Sequence, residues 1–434
     1  MVLAFTGSSP AQVRNIARVA YGFTSDQAGG IAEAAIDSSS GRILRQSIVF
    51  QSDECRRPAK LRRSRDGRHL AVTNLQKRGA QLFLARRAKA DTPKADDVQT
   101  FKLRSLPDEL KFSDGQLLVS CEEDALVAIP FDAEHPESSR IRFDEILDPP
   151  GNGPQDIQIV AEDQLAVISC QKDGKGGEKK GNRILLLKLP TLELVADLPL
   201  PREHPELHLA DDSSESGPGP EIVYVSRDSD TLVTTLDLYG AIGMMRWSAA
   251  KEGRVEDWTC LSASPDRTWG TAFPDRASPL RFAGNDYFLV HNAGSEGGST
   301  VVDLRNRRVV WQRATPPGLE QSAYFPKLRL AFTVCSGKVK ERSADDIQKS
   351  LAPQMRLFVF DFRSSRAVRE ASVETVALEM YTARIHAVSQ DPPLLLIAAG
   401  SSPERADMLI TFDPVTRSVR DRQEALGAIS QFER

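Results

Sequence analysis

Three observations predict an all-β fold, a single β-propeller of seven or eight four-stranded blades. A stretch that opens on proline and ends in an apolar run recurs along the chain, its period suits four short strands, and amphipathic helical patterns are scarce. The pattern is plainest in PDELKFSDGQLLVSC (107–121) and PQDIQIVAEDQLAVISC (154–170), with an earlier copy in PAKLRRSRDGRHLAVTN (58–74). A fourth copy opens at Pro205 with PELHLADD, where an acidic Ser/Gly/Pro insertion at 211–220 delays the apolar run EIVYVS. These four prolines lie 49, 47 and 51 residues apart.

The elements follow in order. Residues 1–57 carry strands without a full repeat before them, including the turn AAIDSSSGRILRQ. Repeats of about 47–60 residues fill 58–423, with units opening near residues 58, 107, 154, 205, 279, 322 and 382. In the second half the apolar runs YFLVHN, LAFTVC and LLLIAAG keep the rhythm, each followed by a strand that ends in an aliphatic-Asp turn. Several runs are apolar at both parities, as strands covered on both faces must be. Loops such as SRDGR and FSDGQ hold residues that accept tight turns. The best helical candidate is short, SADDIQKSLAPQ at 343–354, and residues 248–278 carry the least legible text. The C-terminal stretch 424–434, with GAISQFER, is placed to join the N-terminal strands in a split blade, which makes the count eight; otherwise those strands repair a defective blade and the count is seven. The chain is expected to be one domain.

Composition narrows the function classes. The 434 residues are 40% apolar and 27% charged, with a formal charge of −4, so no general attraction to nucleic acid or membranes is expected. No run of 18 apolar residues suggests a spanning helix, and the first residues do not spell a signal peptide. Five cysteines without CxxC spacing point to the cytoplasm or another reducing compartment, with Cys121, Cys170 and Cys335 ending equivalent strands as packing residues. The basic stretch 55–69 reads as a solvated blade edge, and the Gly-containing stretches 173–182 and 292–299 match no phosphate loop.

RPAKLRRSRDGRHLAVTN, LPDELKFSDGQLLVSC and SPDRTW resemble the YVTN-type, lactonase-like β-propeller repeat, of the wider WD40-like fold. The resemblance implies that the first strand of each blade lines a central channel. With Leu61, Leu110, Ile157 and Leu207 as aliphatic anchors, the channel then receives Lys60, Glu109, Asp156 and Glu206 before them, and Arg62, Lys111, Gln158 and His208 after them. Arg384 and His386 flank Ile385 in the last repeat. The resembling lactonases carry histidine in the slot before the anchor, and this chain does not.

Two functions follow. The first is a non-enzymatic scaffold that binds a partner protein or peptide through its loop faces, enlarged by insertions at 171–182, 211–220 and 336–354. The second uses the channel, as a lactonase-like hydrolase or as a site for a small polar ligand or ion. Glu109, Asp156 or Glu206 would then serve as base, with Lys60 or Arg384 stabilising charge and Arg62, Lys111, His208 and His386 available for binding. HPELH puts His204 and His208 four apart, but across Pro205 at a strand start, so no metal and no cofactor is expected. Carboxylates paired with cations favour the scaffold; carboxylates converging without cations favour the site.

Overall fold

A computed structural model describes residues 15–433, apart from 27, 76–79, 104, 114, 122–124, 131–139, 143–152, 172–181, 203–216, 265–272, 283, 295, 341–347, 351–352, 364–370 and 403–404. Eight four-stranded antiparallel sheets form the eight blades of a β-propeller. The inner strands of blades 1 to 7 are Pro58–Arg63, Pro107–Ser113, Pro154–Val160, Pro220–Ser226, Arg276–Phe282, Ala323–Phe325 and Tyr381–Gln390. Blade 8 is composite: C-terminal Ala428–Phe432 is innermost, followed outward by Ile16–Thr24, Gly29–Asp37 and Ile43–Ser52. The split blade therefore closes the ring, and the count is eight.

Eight apolar clusters of described residues fill the eight seams between blades. The second strand of each blade shows why both of its parities are apolar. Leu117 and Val119 pack toward blade 1 while Leu118 packs toward blade 3; Ala166 and Ile168 pack toward blade 2 while Leu165 and Val167 pack toward blade 4. Alternating side chains point to opposite faces of a strand, and here each face meets another blade.

The prolines open the inner strands because a first strand residue needs no ladder N–H. A bulge follows, between Pro58 and Leu61, Pro107 and Glu109, Pro154 and Ile157, and Pro220 and Val223. A bulge leaves an N–H without its ladder partner, and a hydroxyl on the second strand accepts it. Lys60 N donates to Thr73 at 3.0 Å, Glu109 N to Ser120 at 2.9 Å, Asp156 N to Ser169 at 3.0 Å and Ile222 N to Thr235 at 3.1 Å. Ser120 and Ser169 then donate to the next blade, to the carbonyls of Gln155 at 2.6 Å and Glu221 at 2.5 Å. The serine of the repeated Ser-Cys ending is thus an inter-blade stitch, whereas the cysteine packs. All five cysteines are buried, and none of them forms a disulfide.

The sequence reading is corrected at two places. The fourth inner strand opens at Pro220, so EIVYVS is that channel strand itself and Val223 takes the anchor position, paired opposite Thr234. The Leu207 anchor, with Glu206 and His208, lies outside the described residues. Within 343–354, Gln348–Ser350 is a strand paired with Lys338–Lys340 rather than helix. Residues 248–278 contribute a short helix, Trp247–Ala250, and the outer strand Thr259–Ser262 of blade 4.

At the closing seam, charge is buried. Glu33, fully buried, meets Arg63 at 2.8 Å, Arg87 at 3.3 Å and Arg18 at 3.4 Å. Glu433, just past the closing strand, pairs with Arg63 and accepts the Ala20 N–H at 3.0 Å. Gly22 lies where strand Ile16–Thr24 crosses close to both neighbours: a Cβ there would sit 2.8 Å from Ser430 Oγ and 3.2 Å from Pro58 Cβ.

Candidate functional site

Each inner strand presents the residues on either side of its anchor to the axis, and together they line a central cavity of about 590 Å³. Lys60, Arg62, Glu109, Lys111, Asp156, Gln158, Arg384 and His386 all line it, as the alternation of a strand requires. Leu61 and Leu110 are fully buried between blades. Tyr224, Tyr324, Phe288 and Phe432 add an aromatic wall to the cavity.

The carboxylates are occupied. Glu109 forms a buried ion pair with Arg62 and accepts the Leu110 N–H at 2.7 Å. Asp156 accepts the Val223 N–H of the next blade at 3.1 Å, and Gln158 accepts that of Val225 at 2.6 Å, so both side chains align blade 4. Burial raises the Asp156 pKa; the Lys111 ammonium opposes this and the Glu109 carboxylate adds to it.

Across the channel, Glu320 gathers the charges of blades 5 to 7, meeting Arg384 Nη1 at 2.9 Å, Arg276 Nε at 3.3 Å and Ser336 Oγ at 2.5 Å. Burial opposes its ionisation, but Arg384 and Arg276 outweigh burial and hold the carboxyl well below the usual range. Arg276 also pairs with Asp275. This hub escaped the sequence reading because the inner strand of blade 6 lacks the proline that marks blades 1 to 4.

Two buried histidines, His386 and His291, are held in the neutral form. Burial pushes His386 down to about 4. His291 is fully buried and held down to about 3, its Nδ1 2.8 Å from Ser299 Oγ and its Nε2 2.8 Å from Ser322 Oγ. Among the described residues no three His, Cys, Asp or Glu side chains form a metal-holding group. No described helix is long and apolar enough to cross a membrane.

The Asp156 environment has a measurable consequence. Because its folded pKa is raised, the native state binds a proton that the unfolded chain releases, so stability falls as pH rises from the ordinary carboxylate range through the folded value. Asp156→Asn should flatten that part of the pH profile of the urea midpoint. Asp156→Ala should cost about 1–3 kcal/mol through the orphaned Val223 N–H. A wild-type slope retained in Asp156→Asn would assign the proton elsewhere.

No family model and no curated protein matches the sequence. Solved structures do match. The chain is similar to a structure described as dihydro-heme d1 dehydrogenase NirN in complex with DHE, at 14% identity and TM-score 0.63, covering 99% of this chain and 77% of that one. It is also similar to the Dos1 propeller, at 12% identity and TM-score 0.54, covering 86% of each chain. A putative 6-phosphogluconolactonase from Bacteroides uniformis aligns at 13% identity and TM-score 0.51, covering 84% of this chain and all of that one. At these identities the likeness is one of fold, and the same fold carries unrelated activities.

Proposed function

Starting from an eight-bladed propeller whose structural relatives differ in activity, we propose that this protein is a non-enzymatic scaffold that binds a partner protein or peptide through its loops. The observation that carries this reading is the neutralisation of the channel carboxylates: Glu109 by Arg62, and Glu320 by Arg276 and Arg384. A general base needs a lone pair free to take a proton, and these carboxylates spend theirs on guanidinium groups. The partner is placed on the face where the inner strands begin. The long connections after Cys170, before Pro220 and after Cys335 all leave from that face, because each joins strand ends on that side.

The raised pKa of Asp156 favours a second reading, a lactonase-like hydrolase with Asp156 as base and Lys60 or Arg384 as electrostatic stabiliser. A panel of γ- and δ-lactones separates the two. We expect no hydrolysis above buffer, and turnover that Asp156→Asn abolishes would overturn the scaffold reading. Photocrosslinking residues at exposed Arg57 and Leu106, on the inner-strand-start face, are expected to capture one common protein from the native extract. The same residues at exposed Lys327 and Asp391, on the opposite face, should not capture it. The reverse pattern would place the partner on the other face.

A further inference from the structure

Three arginines of the channel wall already hold carboxylates: Arg62 meets Glu109, while Arg276 and Arg384 meet Glu320. Asp156 and Lys111 differ from them. Both line the cavity, both are half-buried, and neither makes an ion pair among the described residues. The Asp156 carboxyl is oriented by backbone, accepting the Val223 N–H at 3.1 Å and the N–H of Ile157.

The two groups stand beside one seam. The Glu109 N–H donates to Ser120 Oγ at 2.9 Å, and that hydroxyl donates to the Gln155 carbonyl at 2.6 Å. These bonds set Glu109 of blade 2 level with Asp156 of blade 3. Lys111 lies two residues beyond Glu109 on the same strand face, about 7 Å along the strand. On the other side of Asp156, Tyr224 follows Val223 and lines the cavity, its ring stacked on the buried Phe288 at 5.8 Å. Glu221, also of blade 4, lines the cavity as well and accepts the Gln171 amide at 2.9 Å. A carboxyl, an ammonium and an aromatic face therefore converge where blades 2, 3 and 4 meet.

We propose that Asp156, Lys111 and Tyr224 form a binding site for a free α-amino acid with an apolar side chain. Asp156 takes the ligand's ammonium, Lys111 its carboxylate and Tyr224 its side chain. A zwitterion satisfies both wall charges and adds no net charge to the channel, whereas Lys111 repels a simple amine and Asp156 repels a simple acid. The cavity, about 590 Å³, has room for a ligand of this size. The site does not depend on the partner-binding reading above, and no bond is made or broken in it. Burial raises the Asp156 pKa, with Lys111 opposing and Glu109 adding to the effect, and a bound ammonium favours the carboxylate. Binding should therefore release a proton where free Asp156 is protonated, and affinity should fall as pH drops through the free Asp156 value.

The test is calorimetric titration of the full chain with L-leucine and L-phenylalanine, beside phenethylamine and 3-phenylpropionate, which carry one charge each. Saturable binding of at least one amino acid is expected, with both single-charge compounds at least tenfold weaker. Asp156→Asn keeps an acceptor for the Val223 N–H; it should weaken amino-acid binding about tenfold and abolish the proton release, read at mildly acid pH in two buffers of different ionisation enthalpy. Lys111→Gln should weaken amino-acid binding about tenfold without weakening that of phenethylamine, with the fold of both variants checked by circular dichroism. No saturable binding of either amino acid, equal affinity for a single-charge compound, or unchanged affinity in either folded variant would each overturn the proposal.

Discussion

Replacing Glu33 with alanine is expected to lower the unfolding free energy by about 3–5 kcal/mol. The carboxylate is fully buried and meets Arg18, Arg63 and Arg87 across the closing seam. Arg87 is itself fully buried, and its Nε and Nη2 already lack hydrogen-bond partners. Removing Glu33 leaves that guanidinium with the Ala90 carbonyl, at 2.9 Å, as its remaining hydrogen-bond acceptor among the described residues. Burial, with the charges of Arg63 and Arg18 adding to it, already pushes the Arg87 pKa down against the pull of Glu33. The penalty therefore comes from a stranded charge more than from a lost attraction. Urea unfolding at constant m-value measures it, and the double variant Glu33→Met/Arg87→Leu should lose less than the sum of its single changes. A loss below about 1 kcal/mol for Glu33→Ala would mean that solvent screens the cluster.

A chain ending at Glu424 should lose its closed ring and self-associate more than the full chain does. The deletion takes away the inner strand of blade 8, with Ile429 and Phe432, each buried and worth about 1.5–3 kcal/mol. It also removes the Glu433 contacts to Arg63 and Ala20. The strand Ile16–Thr24 then becomes an uncovered edge facing the channel, a template for pairing with another chain. Size-exclusion chromatography should show species larger than those of the full chain, and a synthetic peptide spanning 425–433 should restore part of the full chain's profile. A truncated chain that keeps the full chain's elution profile and melting temperature would show that the ring holds without its closing strand.

The sequence made the repeat legible and left the charge networks hidden, for physical reasons. Pro58, Pro107 and Pro154 mark inner strands because bulge and proline leave a local signature. The fourth start was misplaced because PEL at 205 and PEI at 220 carry the same local text, and regular spacing favoured the first. The split blade was readable from orphan strands at both ends. At the channel, the residues flanking the anchors were found by alternation, yet their partners were not. Arg62 meets Glu109 across a seam, and Glu320 meets Arg384 from a neighbouring blade, so neither pair leaves a pattern within one repeat. Ser120 and Ser169 stood in plain view beside the repeated cysteines, but hydrogen bonds to the next blade have no period to betray them. The fold is local text repeated; the site is where the copies meet.

The composite blade also sets how the molecule responds to pulling. Its two strands from opposite ends of the chain run antiparallel, with Tyr21 opposite Phe432 and Thr24 opposite Ala428. Tension applied between Ile16 and Glu433 thus loads the Ala20–Glu433 contacts before the Tyr21–Phe432 pair, and it separates these two strands one rung at a time, as in a zipper, instead of shearing all rungs together. Under load this ring has a designated opening point, and the seven blades made of continuous chain are shielded until it parts.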